Sequence, residues 1–313
     1  MIPQSIHIPV LYQESIDALN IKADGVYVDG TLGGAGHAFG IASQLSSEGI
    51  FIGCDVDHDA ILRASEKLAS LSCKKHFIHN NFRNLKHILD QLGIIGVDGV
   101  LLDFGWSSFQ IADPERGLSF TQNGPLDMNL SKGLSNDRLT AYEIVNFWNE
   151  ETLADIFYGY GDEVKARTIA RYIVNIRKEQ PITTTHQLAD VVINAIFPKR
   201  VSASKPITFK IHPATKVFQA LRIAVNDELT VITEGLHAAI ERLMPKGHLA
   251  VITFHSGEDR IVKQIFKSYA EQGIVNLIVK KPIIPQLLEI QQNPRSRSAK
   301  LRIIEKNNPT SFV

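Results

Sequence analysis

Tyr27-Val28-Asp29-Gly30-Thr31-Leu32-Gly33-Gly34-Ala35-Gly36-His37, followed by Gly53-Cys54-Asp55-Val56-Asp57, reads as an apolar strand, a glycine-rich turn opening a helix, and a second strand that ends in carboxylates. That succession is the first half of a nucleotide-binding α/β domain. Glycines let the backbone approach a ligand, and an acid about 20 residues further on stands where ribose hydroxyls donate hydrogen bonds. The same run also fits a glycine-rich β-to-α turn in any doubly wound sheet. A dinucleotide fingerprint needs G-x-G-x-x-G, and here Phe39 occupies the place of the third glycine, with Gly40 one position late. Asp29, Asp55 and Asp57 would repel a pyrophosphate yet suit an adenosine carrying a cationic sulfonium. S-adenosylmethionine is therefore the leading ligand.

Runs rich in Val, Ile, Leu and Phe recur near 25–31, 50–55, 76–82, 97–103, 248–255, 275–280 and 301–305. Seven such strands make one sheet. Between the first four lie helical patterns such as Asp57-Ala60-Ile61-Ala64-Leu68, whose apolar spacing suits helices packed on a mostly parallel α/β sheet. After the fourth strand the alternation stops, and 110–210 reads as an inserted helical domain. Residues 140–145 and 164–177 have helical period, and Thr183-Thr184-Thr185-His186-Gln187-Leu188 carries an N-cap signal. The loop 199–211 has little apolar content. A single long helix over 213–244 then leads back into the sheet, so that 1–109 and 211–313 form one domain.

The fourth strand ends Leu102-Asp103-Phe104-Gly105-Trp106-Ser107-Ser108, which puts a carboxylate and two hydroxyls at the sheet edge where open α/β sheets bind ligands. Asp103, Ser107 and Ser108 are candidates for orienting an amine that attacks a sulfonium methyl, a reaction whose rate comes mostly from positioning. Asp103 equally suits a cap on the following turn. The fifth strand ends Phe254-His255-Ser256-Gly257-Glu258-Asp259, making His255 and Asp259 candidates for orienting a base or removing a proton, or for structural hydrogen bonding. Phe82, Trp106 and Phe109 are suited either to stacking on a base or to the core. Asn293-Pro294-Arg295-Ser296-Arg297-Ser298-Ala299-Lys300 suits phosphates, or a solvated loop.

The chain has 313 residues, a formal net charge of zero and two cysteines, Cys54 and Cys73, without metal-ligand spacing. No disulfide framework or metal site is expected. No apolar stretch approaches the roughly 20 residues of a membrane span, and the first residues lack a signal-peptide pattern, so the expected location is cytoplasmic with no membrane partner. Charge is uneven: 160–210 holds nine basic residues against four acids, and 280–306 seven against two. Both regions are candidates for RNA contact or are solvated faces. P-loop, HExxH, zinc-deaminase and G-x-S-x-G patterns are lacking, which removes several enzyme classes.

Read together, His7–Leu11, Val28–His37, Asn81-Phe82, Leu101–Phe120, Pro125–Met128, His212–Thr215, Phe218–Leu229, Phe254–Lys263 and Asn293–Arg302 closely resemble the bacterial RsmH or MraW family, the S-adenosylmethionine-dependent N4-cytosine methyltransferases of 16S ribosomal RNA. The resemblance implies a Rossmann-like class I methyltransferase domain interrupted by a helical domain that recognises RNA. It implies 16S rRNA or the small ribosomal subunit as partner, and methylation of the exocyclic amine of a decoding-region cytosine. It also implies a cofactor site at Gly34, Ala35, Gly36, His37, Asp55, Phe82, Asp103 and Gln110. The chain departs from the family pattern at Trp106, Phe109, Asn129 and Gly257. Two alternatives are a DNA amino-methyltransferase, against which stands the lack of prolines in Asp103-Phe104-Gly105-Trp106, and a non-catalytic RNA-binding assembly factor.

Overall fold

The computed structural model describes residues 9–131, 134, 138–198 and 212–308. Helices α1 (Tyr12–Ala18), α2 (Gly36–Ala42), α3 (His58–Lys67) and α4 (Leu85–Gln91) accompany strands β1 (Val26–Asp29), β2 (Ile50–Asp55), β3 (Lys74–His79) and β4 (Val97–Asp103). Then come α5 (Ser108–Ala112), α6 (Ala141–Phe147), α7 (Glu150–Gly159), α8 (Ala166–Ile176), α9 (Thr185–Ile196), α10 (Thr215–Asn226) and α11 (Glu228–Arg242). β5 (Leu243–Thr253), α12 (Ser256–Glu271), β6 (Val275–Leu277), α13 (Leu287–Gln292) and β7 (Lys300–Lys306) follow. The chain divides into two compact units, one of Met1–Ser107, Ser131–Leu134 and Leu229–Val313, the other of Ser108–Leu130 and Ser135–Glu228.

The first unit holds the seven-stranded, mostly parallel sheet expected from the sequence, in the order β3-β2-β1-β4-β5-β7-β6. Neighbours from β3 to β5 run parallel, while β7 is antiparallel to both β5 and β6. Strand residues alternate between two faces, and both faces are covered. Tyr27, Phe51, Leu101 and Ile252 join one buried cluster with residues of α1, α2 and α3. Their neighbours Val28, Ile52, Leu102 and Val251 join a second, with residues of α4, α11 and α12. Burial on both faces is why these strands read as continuous apolar runs rather than alternating ones.

Several element boundaries differ from expectation, among them β6, which ends at Leu277 rather than 280. The long helix over 213–244 is two helices, because Asp227 adopts a left-handed conformation (φ 49°, ψ 37°) that ends α10; aspartate is among the few residues that tolerate it. β5 starts at Leu243 rather than 248, with a register break opposite Val97–Gly99 that accommodates Pro245, Lys246 (φ 68°) and Gly247. β3 stops at His79, and Phe82 lies instead in a 3₁₀ turn capped by Asn81.

The second unit is helical, α5 to α10, and its core is built from Ile144, Leu153, Phe157, Ile169, Ile173, Leu188, Val192 and Leu221 among others. Its helix starts are written in the sequence. Thr140 with Glu143 and Thr184 with Gln187 form capping boxes on α6 and α9, and Asn149 caps α7, each satisfying backbone N–H groups that have no partner within the helix. A buried ion pair joins Arg222 to Glu228 at 2.6 and 2.8 Å. This unit takes in α10, whereas the sequence places the insert at 110–210.

Candidate active site

Within the sheet-bearing unit, polar groups concentrate at the carboxyl ends of β1, β2, β4 and β5, the edge at which open α/β sheets present ligand sites. Asp29 ends β1 and is almost fully buried. Its Oδ1 accepts a hydrogen bond from the Thr31 N–H (3.0 Å), while Oδ2 has no partner. Burial, reinforced by the nearby Asp55 carboxylate, pushes its pKa up to about 7. Asp55 ends β2 and accepts from the N–H groups of Gly33 (2.9 Å) and Asp57 (2.8 Å). Burial still pushes it up to about 6 against those two bonds. Asp57 serves as the N-cap of α3, accepting from the Asp59 N–H.

Asp103 ends β4, and its own N–H donates to the Thr31 hydroxyl at 2.7 Å. Its side chain keeps 21% of its surface exposed, yet Oδ1 makes no hydrogen bond and Oδ2 lies 3.7 Å from His37 Nδ1. Burial, then the charges of Asp29 and Glu258, hold its carboxyl well above the usual carboxylate range. Three carboxyls of raised pKa on adjacent strand ends make an edge where a cation or hydroxyl donors would favour the ionised forms.

The glycine turn is shaped by the chain itself as much as by a ligand. Ala35 (φ 55°) is left-handed and buried, and starts α2. A Cβ on Gly36 would lie 2.2 Å from Pro9 Cγ, so the absence of a side chain there lets residues 9–11 cross the turn. His37 is correspondingly buried, its Nε2 3.0 Å from the Val10 carbonyl and its ring stacked at 6.0 Å on Tyr12. Gly33 (φ 46°) is open, with Ser107 Cβ the nearest side-chain atom to its virtual Cβ, at 3.5 Å. The Gly33 and Gly34 carbonyls accept from Arg63 and Lys67 of α3 at 3.3 and 3.4 Å.

Not all candidates gather there in the expected roles. Phe82 stacks on Phe104 at 5.7 Å, and its ring lies so close to α11 that a Cβ on Gly235 would be 2.3 Å away; this ring is largely packing. His255 is the N-cap of α12, its Nδ1 accepting from the Glu258 N–H and its Nε2 3.1 Å from Glu258 Oε1. Asp259 is ion-paired with Arg302 (2.7 Å) and Lys300 (3.0 Å), which hold its carboxyl below the usual range despite burial. A carboxylate so committed is a poor proton acceptor, and its place is structural. Ser107 is buried in this unit; Ser108 opens α5 and Gln110 is buried, both in the helical unit.

Two contributors escaped the sequence reading. Thr31 links β1 to Asp103, and Glu258 is buried, accepting from the N–H groups of Phe254 (2.7 Å) and His255 (3.2 Å). The second was detectable as a glutamate three residues after a helix start, the spacing of a capping box. In the helical unit, Arg177 donates to the carbonyls of Val145 and Trp148 and so belongs to the fold rather than to a free basic face. Lys199, Arg200, Lys205 and Lys210, with the loop 199–211, and His7 and Ile8 lie outside the described residues.

The profile of the MraW methylase family matches residues 4–307. Ribosomal RNA small subunit methyltransferase H of Clostridioides difficile (strain 630) is 44% identical, covering 96% of this chain and 98% of that protein. The protein of the same name from Brevibacillus brevis (strain 47) is also 44% identical, with the same coverage. Among solved structures, an rRNA methylase from Streptococcus thermophilus superposes with a TM-score of 0.43 at 12% identity, covering 98% of this chain and 99% of that one.

Proposed function

The chain belongs to the MraW methylase family, and from that membership we propose that it methylates small-subunit ribosomal RNA on the N4 amine of a decoding-region cytosine. Its methyl donor is S-adenosylmethionine. The observation that carries the reading is the row of raised carboxyls Asp29, Asp55 and Asp103 on three adjacent strand ends. Two of them keep a buried oxygen without a hydrogen bond, which suits a ligand that brings hydroxyl donors and a positive charge. The relatives' names supply the substrate class.

The donor, when bound, supplies an electrophilic methyl on a sulfonium. Asp55 is assigned to its ribose hydroxyls, the Gly33–Gly34 turn and Asp29 to its cationic side, and Asp103 and Ser107 to the incoming amine. Asp103 Oδ1 accepts a hydrogen bond from that amine and aims its lone pair. As the new N–C bond forms, the amine must shed one proton; the positive charge of the bound donor favours the ionised form of Asp103, and a carboxylate that is ionised there yet has a raised proton affinity can take that proton. Asp259, held ionised by two cations, is left out of this step. The helical unit, with Arg167 and Lys178 exposed on and beside α8, is assigned to RNA recognition.

The test is transfer of radiolabelled methyl to small subunits and to naked ribosomal RNA from a strain lacking this protein, followed by nucleoside mass spectrometry. Label in N4-methylcytosine is expected, and Asp103→Asn should lower turnover by a factor on the order of 100 or more. Label in another nucleoside, or normal turnover by the variant, would refute the assignment.

A further inference from the structure

Between β6 and β7 the chain crosses from Lys280 to Arg297 with four cations, Lys280, Lys281, Arg295 and Arg297, all exposed. Among the described residues none of the four has an anionic partner, whereas Lys300 and Arg302, a few residues on, share Asp259 as an ion-pair partner. The segment is nevertheless fixed. Ile283 and Leu301 exchange backbone hydrogen bonds at 2.9 Å, closing 283–301 into a loop. Within it Pro294–Ser298 is a 3₁₀ turn in which buried Ser296 donates its hydroxyl to the Asn293 carbonyl (2.8 Å), leaving the arginines on either side in solvent.

The one acid between Lys280 and Arg297 is Glu289, and it is spent elsewhere: its carboxylate accepts from the Leu11 N–H at 2.8 Å. Leu11 (φ 49°) is the N-cap of α1, and the preceding carbonyl, that of Val10, meets His37 Nε2 at 3.0 Å. His37 in turn lies 3.7 Å from Asp103. A continuous set of contacts inside one compact unit therefore runs from α13, which carries Glu289 and packs on the arginine turn, to the carboxyl at the end of β4.

We propose that Lys280, Lys281, Arg295 and Arg297 form a surface that binds the phosphate backbone of the RNA substrate, and that Glu289 is a positioning residue holding this surface in register with Asp103. The proposal rests on the reading of the substrate as ribosomal RNA. The segment carries four exposed cations and a single acid that is committed to Leu11, and such a surplus of positive charge is matched by an anion with several phosphates. Two guanidinium groups in a fixed turn match phosphate oxygens by their forked donors. Exposed Ile284, Leu287 and Leu288 on the same segment would also suit an anionic membrane, which the vesicle arm of the test separates from RNA.

The test uses full-length protein and unmodified, transcribed small-subunit ribosomal RNA over a salt series. Arg295→Gln with Arg297→Gln should raise the RNA Kd at least tenfold. It should flatten the dependence of log K on log salt by about 1.4, as expected for two lost single-strand phosphate contacts, with S-adenosylmethionine affinity unchanged. Glu289→Ala should leave the salt slope intact and lower kcat at saturating RNA about tenfold, and Glu289→Gln, which keeps an acceptor oxygen for Leu11, should restore it. An unchanged slope and Kd in the arginine variant overturns the surface. So does loss of binding to phosphatidylglycerol vesicles with RNA binding intact, which reassigns the cations to a membrane. An unchanged kcat in Glu289→Ala overturns the positioning role. Wild-type protein that binds the RNA in this cation-dependent way yet transfers no methyl fails the proposed reaction and leaves the surface standing.

Discussion

Asp29→Asn isolates the energetic consequence of building a carboxyl into the end of β1. In the folded protein Asp29 titrates at about 7, against 3.8 for an unperturbed aspartate. The folded state therefore binds this proton more tightly than the unfolded chain. Since stability falls with pH wherever the folded state holds more protons, the wild type loses stability from about pH 4 up to pH 7 and the loss then levels off. Between pH 5 and pH 8.5 about two pH units of that window are crossed, worth about 3 kcal/mol at 1.36 kcal/mol per unit. Asparagine keeps an oxygen for the Thr31 N–H and cannot ionise. Whatever its fixed packing cost, the difference between variant and wild type should move in the variant's favour by about 3 kcal/mol over this range. For a unit of this size that is roughly 6–12 °C in the relative midpoint. Scanning calorimetry without cofactor at pH 5, 6, 7 and 8.5 reads the effect directly. A difference that stays constant within about 1 kcal/mol, or that changes in the opposite direction, would show that Asp29 is ionised at low cost and that the account of this edge is mistaken.

The same carboxyls should couple cofactor affinity to pH. A cationic ligand favours the ionised forms of Asp55 and Asp29, so S-adenosylmethionine affinity should rise at least tenfold from pH 5.5 to 7.5, through pKa values of about 6 and 7, while the uncharged thioether product should gain less; isothermal titration in two buffers should also detect proton release, and equal pH profiles for the two ligands would refute the coupling. Asp259→Ala removes the shared partner of Lys300 and Arg302 and should cost about 1–2 kcal/mol of stability, between the values for exposed and buried pairs because the cluster is only partly buried, while methyl transfer per folded molecule at low temperature stays within threefold of wild type; a loss of turnover without a loss of stability would return Asp259 to catalysis.

The central strands were legible because both of their faces are buried, so the sequence announces them as apolar runs bounded by glycine or charge, whereas the edge strands β3 and β6 are only partly buried and their ends were less well marked. β2 and β4 fall on the expected residues for that reason. The misjudged elements have causes that act outside the apolar pattern. One left-handed residue, Asp227, divides a continuous helical pattern in two, and a local backbone excursion at Pro245–Gly247 lets β5 begin before its apolar run. In the helical unit the capping boxes at Thr140 and Thr184 were readable because a cap is a local contract between a side chain and the N–H groups three residues on.

The site was less legible, because its residues earn their roles from contacts far away in the chain. Asp103 and Asp259 both stand near strand ends with hydroxyls or histidine nearby, and sequence gives no reason to rank them. The fold separates them by partners: Asp103 faces two other acids and a buried histidine, whereas Asp259 meets an arginine and a lysine from β7, more than 40 residues on. One carboxyl is driven toward accepting protons and the other is locked in its charged form. The glycine turn makes the same point. Its glycines suggested ligand approach, and Gly33 is open, but Gly36 is required by Pro9, whose segment anchors His37 through Val10. A substitution at Gly36 would therefore disturb Asp103 through His37 rather than by obstructing a ligand. A glycine in such a turn marks close approach, and only the fold tells whether the approaching group is the ligand or the protein's own chain.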